Sequence, residues 1–189
     1  MRKIVSFMHK SLDGFVAGSN GEMNCIKVDE EIFEHVGKRI SETDTALYGR
    51  VTYQMMESYW PTAADSPTAS KHDIEHSAWY KQAHKIVLSK TMKDAPANTT
   101  IISGNITDRI NEIKQQGDKE ILLFGSPSAT HSLIQMSLVD GYWLFVNPII
   151  LGQGIPLFTN IRQQTKLKLL TTRSFTSGVT ELNYEADNQ

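Results

Sequence analysis

The chain has 189 residues, of which 40% are apolar and 21% charged, and its formal net charge is −2. This is enough chain for one domain with a sizeable core, the balance argues against disorder, and there is no broad basic surface for nucleic acid. The single cysteine, Cys25, excludes a disulfide framework and a multi-cysteine metal site, and it fits a reducing cytoplasm.

Met1-Arg2-Lys3 leads directly into a strand over 3–8, KIVSFM, so no secretory leader is expected. No stretch approaches the ~20 apolar residues of a membrane helix. After His9-Lys10-Ser11, short apolar pieces broken by glycine predict a bent strand end over 12–18 and a loop reaching about Lys27. An amphipathic helix is predicted over 28–40, with Val28, Ile32, Phe33, Val36 and Ile40 on one stripe. Its acidic first turn (Asp29, Glu30, Glu31) and basic last turn (Lys38, Arg39) complement the helix dipole. A strand over 45–48 ends at Gly49, and a helix runs from Arg50 to Met56. Residues 59–70 read as loop and 71–83 as helix. Strands follow at 85–88 and 100–103, then a helix over 106–116 that stops at Gly117.

The stretch Glu120–Asp140 carries the sharpest local signal. Ile121-Leu122-Leu123-Phe124 is a short, bulky run suited to a strand buried on both faces. Gly125 and Ser126 break it. Ser126 is a candidate N-cap, and Pro127 suits the first helical position, where an N–H is not needed. Ala129, Leu133, Ile134 and Met136 then recur at helical spacing. Such a strand–turn–helix unit points unpaired N–H groups and a positive helix end at one spot, which suits a phosphate. With one glycine in the turn, it falls short of G-x-G-x-x-G. A strand over 141–146, a glycine-rich run over 147–154 and a hairpin over 167–184 turning at Ser177-Gly178 complete the chain.

Strands alternate with helices, which predicts one α/β domain over 1–189 with a mainly parallel sheet and antiparallel strands at one edge. Ligands of such sheets sit outside the carboxyl ends of the strands. Four junctions there carry small or polar residues: Gly49-Arg50, Ser89-Lys90, Ser103-Gly104 and Gly125-Ser126. The fork of Arg50 and the point charge of Lys90 suit a nucleotide with an extra phosphate. His72 and His76 lie four apart on a helix. Asp73 stands where H-E-x-x-H needs its Glu and no third ligand is evident, so a solvated helix face without metal is expected. Ser128 and His131 lack the G-x-S-x-G context of a hydrolase, and His131 is expected at the surface or in packing.

Five motifs then carry a resemblance. They are S-L-D-G-F-V-A at 11–17, L-Y-G-R-V-T-Y at 47–53, V-L-S-K-T at 87–91, L-L-F-G-S-P-S-A-T at 122–130 and N-P-I-I-L-G-Q-G-I-P-L-F at 147–158. In this order, over nearly the whole chain, they resemble the dihydrofolate-reductase-like family, and most closely its branch of riboflavin-biosynthesis reductase domains. The resemblance implies a three-layer α/β sandwich with a mostly parallel central sheet, flanking helices and an antiparallel C-terminal hairpin. It implies NADPH as cofactor, hydride transfer to a small heterocycle, a homodimer and a cytoplasmic location. The best single substrate is 5-amino-6-(5-phosphoribosylamino)uracil. The alternatives are a nucleotide-binding protein without reductase activity, or a dihydrofolate reductase.

By the same resemblance, Gly49, Arg50 and Thr52 serve the adenosine side and its phosphates, and Ser89 and Lys90 approach the 2′-phosphate. Gly104 and Phe124 belong to the same cofactor set, and Gly125, Ser126, Pro127, Ser128 and Ala129 hold the pyrophosphate. Residues 13–18 form a loop over the nicotinamide, with Gly14, Ala17 and Gly18 at the cofactor. Asp13 and Asp29 are the candidate catalytic acids. Phe15, Tyr53 and Trp60 are candidates to stack on a flat substrate, beside Gly152 and Gly154. The chain departs from the family at Ser126, where many members have a second glycine; its Cβ narrows the backbone's approach to the cofactor. A carboxylate on the first helix is also a family feature, and Asp29, Glu30 and Glu31 compete for that place.

Overall fold

The computed structural model describes residues 1–161 and 164–187. In chain order the elements are β1 (Ile4–Ser11), β2 (Phe15–Ala17), α1 (Glu30–Ser41), β3 (Thr45–Gly49), α2 (Arg50–Tyr59), α3 (Lys71–Gln82), β4 (His84–Leu88), β5 (Thr99–Ile102), α4 (Ile106–Lys114), β6 (Ile121–Phe124), α5 (Pro127–Gln135), β7 (Gly141–Asn147), β8 (Ile155–Pro156), β9 (Lys166–Ser174) and β10 (Thr180–Asp187). Eight strands form one sheet in the order β5-β4-β3-β6-β1-β7-β10-β9. From β5 to β7 all neighbours are parallel; β10 and β9 add antiparallel strands at one edge, as the sequence predicts.

The bulky runs of the central strands divide residue by residue between two cores. Leu47, Ile86, Ile121 and Leu123 face one cluster, which Ile110 of α4 and Leu133 of α5 cover. Ala46, Tyr48, Val87, Leu122 and Phe124 face the other, covered by Ile32 and Val36 of α1, Tyr53 of α2 and Tyr80 of α3. A parallel strand buried on both faces needs no polar alternation, hence the unbroken apolar runs. The three-layer α/β sandwich is therefore observed.

The element boundaries differ in instructive places. α1 begins after Asp29, whose carboxylate accepts the Ile32 N–H at 2.9 Å as an N-cap, and Val28 stays outside the helix and exposed. α2 runs on to Tyr59, and a 3-10 turn over Ala63–Asp65 occupies part of the predicted loop. β2 pairs with β8 in a small separate antiparallel ribbon, joining segments far apart in the chain. The expected solvated face of α3 is packed instead. His72 stacks on Phe33 at 3.9 Å and His76 lies on Trp60 at 4.0 Å. Burial pushes the His76 pKa down to about 3, so this ring stays neutral and apolar in character.

Leu123 is fully buried in β6, between β1 and β3. Leu123→Ala should therefore cost ~3 kcal/mol in a urea titration, within the ~2–5 kcal/mol of core truncations, because the sheet cannot collapse onto the void.

Candidate functional site

The site begins where β6 stops. Phe124 is the last β6 residue paired with β1, opposite Phe7, and the Phe7 carbonyl then accepts the Gly125 N–H at 3.1 Å. The chain turns through two successive left-handed residues, Gly125 at φ 50° and Ser126 at φ 56°, which delivers it into α5 at Pro127. Ser126 occupies the N-cap position but does not cap its own helix with its side chain. Its hydroxyl donates to the Phe124 carbonyl and accepts the N–H of Gly49, both at 2.9 Å. Gly49 is in turn the N-cap residue of α2, so the starts of α2 and α5 meet.

They open onto a cavity of about 490 Å³ at the carboxyl ends of β3 to β6. Gly49, Arg50 and Thr52 line it from the start of α2, Ser89 and Lys90 from the turn after β4, and Ser126, Pro127, Ser128 and Ala129 from the start of α5. The floor is apolar, with Leu88, Ile102, Ile106 and Ile155. The first amides of a helix have no intrahelical acceptor, and their dipoles favour an anion. Among the described residues the Arg50 guanidinium donates to the Gln54 side-chain oxygen alone, at 2.9 Å. Among the described residues neither Arg50 nor Lys90 has a carboxylate partner within ion-pair distance. The Ser89 hydroxyl is engaged locally, accepting the Met92 N–H at 3.0 Å.

Several expected site residues lie elsewhere. Phe124 points to the opposite core, edge-on to Phe7, because alternate residues of a strand face opposite ways. Gly125 backs onto the Thr52 methyl and Gly104 follows the cavity residue Ser103; neither lines the cavity. Tyr53 and Trp60 are not placed to stack on a ligand there. Tyr53 is buried against Tyr48 on the far face of the sheet, and Trp60 packs on His76 with its indole N–H on the Met56 sulfur. The inner face of α2 serves the core, and only its N-terminus reaches the cavity.

Gly14, Phe15, Ala17, Gly18, Gly152 and Gly154 belong to a seam between two loops. β2 pairs with β8, and the Leu12 N–H reaches the Ile149 carbonyl at 2.8 Å. Gly154 has φ 158°, and a Cβ there would collide with the Ala17 carbonyl oxygen, so only glycine permits this approach. Asp13 closes the seam: its carboxylate accepts the Ser11 hydroxyl at 2.6 Å and the backbone N–H groups of Leu151 at 3.1 Å and Gly152 at 2.7 Å. The Ser11 hydroxyl, aided by these amides, holds the Asp13 pKa down to about 2.

Of the two candidate acids, Asp13 clasps the loop seam and Asp29 caps α1. Glu31 is also engaged, with the Thr176 N–H and hydroxyl and with Arg173. His9 escaped notice in the sequence. It lies two residues beyond Phe7 on β1, stacks on Phe145 at 4.8 Å, and keeps a buried Nδ1 with no hydrogen-bond partner among the described residues. Burial pushes its pKa down to about 4. The signal was there: an ionisable residue near the end of a buried central strand. Ile155 had no such signal, since only the β2–β8 pairing brings it to the cavity.

The order of the sheet, the antiparallel terminal hairpin and a cavity across the strand ends define a dihydrofolate-reductase-like fold. The family described as RibD C-terminal domain matches residues 2–180, and the chain belongs to it. It is 34% identical over 187 residues to the uncharacterised protein YyaP of Bacillus subtilis strain 168, covering 97% of this chain and 94% of that one. A putative riboflavin biosynthesis protein from Shewanella sp. PV-4 superposes with TM-score 0.75 at 20% identity, covering 98% and 99% of the two chains. Dihydrofolate reductase from Enterococcus faecalis, in complex with NADP(H) and RAB-propyl, superposes with TM-score 0.64 at 12% identity, covering 98% and 96%.

The folded pKa of Asp13 lies below that of a free carboxyl, so its contribution to stability is complete above about pH 4 and drains away as the pH falls toward 2. Urea midpoints of wild type and Asp13→Asn, followed from pH 6 to pH 2, should stand apart at the upper end and converge at the lower.

Proposed function

We propose that the chain is an NADPH-dependent reductase transferring hydride to a small heterocyclic acceptor, with 5-amino-6-(5-phosphoribosylamino)uracil the best single candidate. The observation that carries this proposal is the cavity itself, which joins two helix N-termini with two cations that have no carboxylate partner among the described residues. Membership of the RibD C-terminal domain family and the likeness to a fold seen with NADP(H) support it. When bound, the cofactor supplies the hydride.

The chain's own part is to bind and orient. The first amides of α2 and α5 receive the pyrophosphate. Arg50 and Lys90 take the 2′-phosphate, Arg50 through its fork and Lys90 as a point charge. The seam of 11–18 and 148–156 limits access of water to the nicotinamide end. A cytoplasmic location belongs to the same proposal, supported by a lone, buried, unpaired Cys25. So does a homodimer, supported by the edge strand β9, where Leu167, Leu169 and Leu170 are exposed. A nucleotide-binding protein without reductase activity would share the cavity; oxidation of NADPH with any acceptor in a panel of pyrimidines and pterins, dihydrofolate included, rejects that alternative.

Thermal unfolding is the first test. A ligand at ~100 times its Kd adds roughly 2.7 kcal/mol, or a Tm rise of about 5–10 °C for a chain of this size. NADPH should produce it at a lower concentration than NADH, and no shift with either at millimolar concentration sinks the proposal. Arg50→Ala should then weaken NADPH at least tenfold more than NADH; equal losses would assign Arg50 to the shared pyrophosphate.

A further inference from the structure

The starts of α2 and α5 are far apart in the chain, and one side chain joins them. Ser126 is only 6% exposed and takes a left-handed conformation that a non-glycine residue adopts at a cost. Two hydrogen bonds of its hydroxyl offset that cost, one to the Phe124 carbonyl in its own turn and one from the Gly49 N–H at the other helix. The helix ends are in close approach at this point. A Cβ on Gly49 would stand 3.4 Å from the Ala129 Cβ and 3.6 Å from the Ser126 Cβ, so α2 and α5 already touch there.

The Gly49 amide is therefore occupied by Ser126. The other first-turn amides, Arg50 to Thr52 on one side and Ser128 and Ala129 on the other, border the same cavity. The β3–β6 ladder and the close approach of Gly49 to Ala129 bring these two donor sets together, and the Ser126–Gly49 hydrogen bond is the side-chain tie between them. A ligand with two linked phosphates bridging both helix ends must match that spacing, whereas a ligand held at one end need not.

We propose that Ser126 is a positioning residue whose hydroxyl ties the start of α2 to the start of α5 and so sets the span of the anion the two helix ends hold together. The proposal rests on the cavity being a dinucleotide site. It reverses the expectation drawn from the family pattern, in which a serine at the second glycine position obstructs the cofactor. Replacing Ser126 by glycine would open space and relax the backbone, yet it would remove the tie.

Isothermal titration of wild type, Ser126→Gly and Ser126→Ala with NADP⁺ and with 2′,5′-ADP tests this. NADP⁺ carries the bridging pyrophosphate and 2′,5′-ADP does not. Both variants should bind NADP⁺ at least tenfold more weakly and 2′,5′-ADP within twofold of wild type. NADP⁺ binding to Ser126→Gly as tight as wild type or tighter overturns the proposal, and so does an equal loss for both ligands, which is the mark of general structural damage. Amide exchange on the free protein decides the tie without any nucleotide. Gly49 should exchange at least tenfold faster in Ser126→Ala, while the Thr130 amide, bonded to the Ser126 carbonyl in every variant, keeps its wild-type rate. An unchanged Gly49 rate overturns the proposal. Failure of the wild-type protein to bind either nucleotide would overturn the reductase proposal instead, a result distinct from the exchange comparison.

Discussion

The short parallel ladder between β1 and β6 is the constraint on which the rest depends. It lasts four residue pairs, from Ile4–Ile121 to Phe7–Phe124, and it lies at the middle of the eight-stranded sheet. Its side chains divide between the two faces and so belong to both cores at once. Its end is equally consequential. β1 continues along β7 to Ser11, but β6 turns away at Gly125. That turn delivers the chain into α5, whose start borders the cavity over the carboxyl ends of β3 to β6.

Around this space the chain uses polar groups for two separate tasks. Arg50, Lys90 and the first-turn amides border the cavity, and among the described residues no carboxylate pairs with either cation. Three acidic residues are engaged in structure instead: Asp13 in the loop seam, Asp29 at the head of α1 and Glu31 on the hairpin. The cavity thus gathers two cationic side chains and two helix starts in a chain whose formal net charge is −2. The pair of buried Lys114 with half-buried Asp140 anchors the opposite end of the sheet, where Asp140 also accepts the Ile4 N–H at 2.7 Å.

Much of the fold was legible because its signals are local. Short apolar runs specified β1, β3, β4 and β6, and a glycine or a serine ends the last three. Periodic stripes specified α1 and α4. The turns that border the cavity were legible for the same reason, since small residues follow these strands at their carboxyl ends. The places of the aromatic and acidic candidates were not legible. Tyr53 and Trp60 looked equally fit to stack on a ligand or to pack in a core, and only the direction of α2 sent them to the core. Asp13 looked like an acid until a loop nearly 140 residues further along supplied two amides to its carboxylate.

The sequence by itself determined the element order, the parallel sheet with its antiparallel edge, and the family, since hydrophobic period and turn chemistry act within a few residues of one another. Only the tertiary structure decided which polar groups remain available to a ligand. The Ser126 hydroxyl reaches Gly49, the Asp13 carboxylate reaches Gly152, and Ile155 joins a wall made by β4, β5 and α4. Each of these contacts closes a long loop of chain. Nothing in a local pattern encodes it, and it exists only once both cores have packed and fixed the strand ends in place.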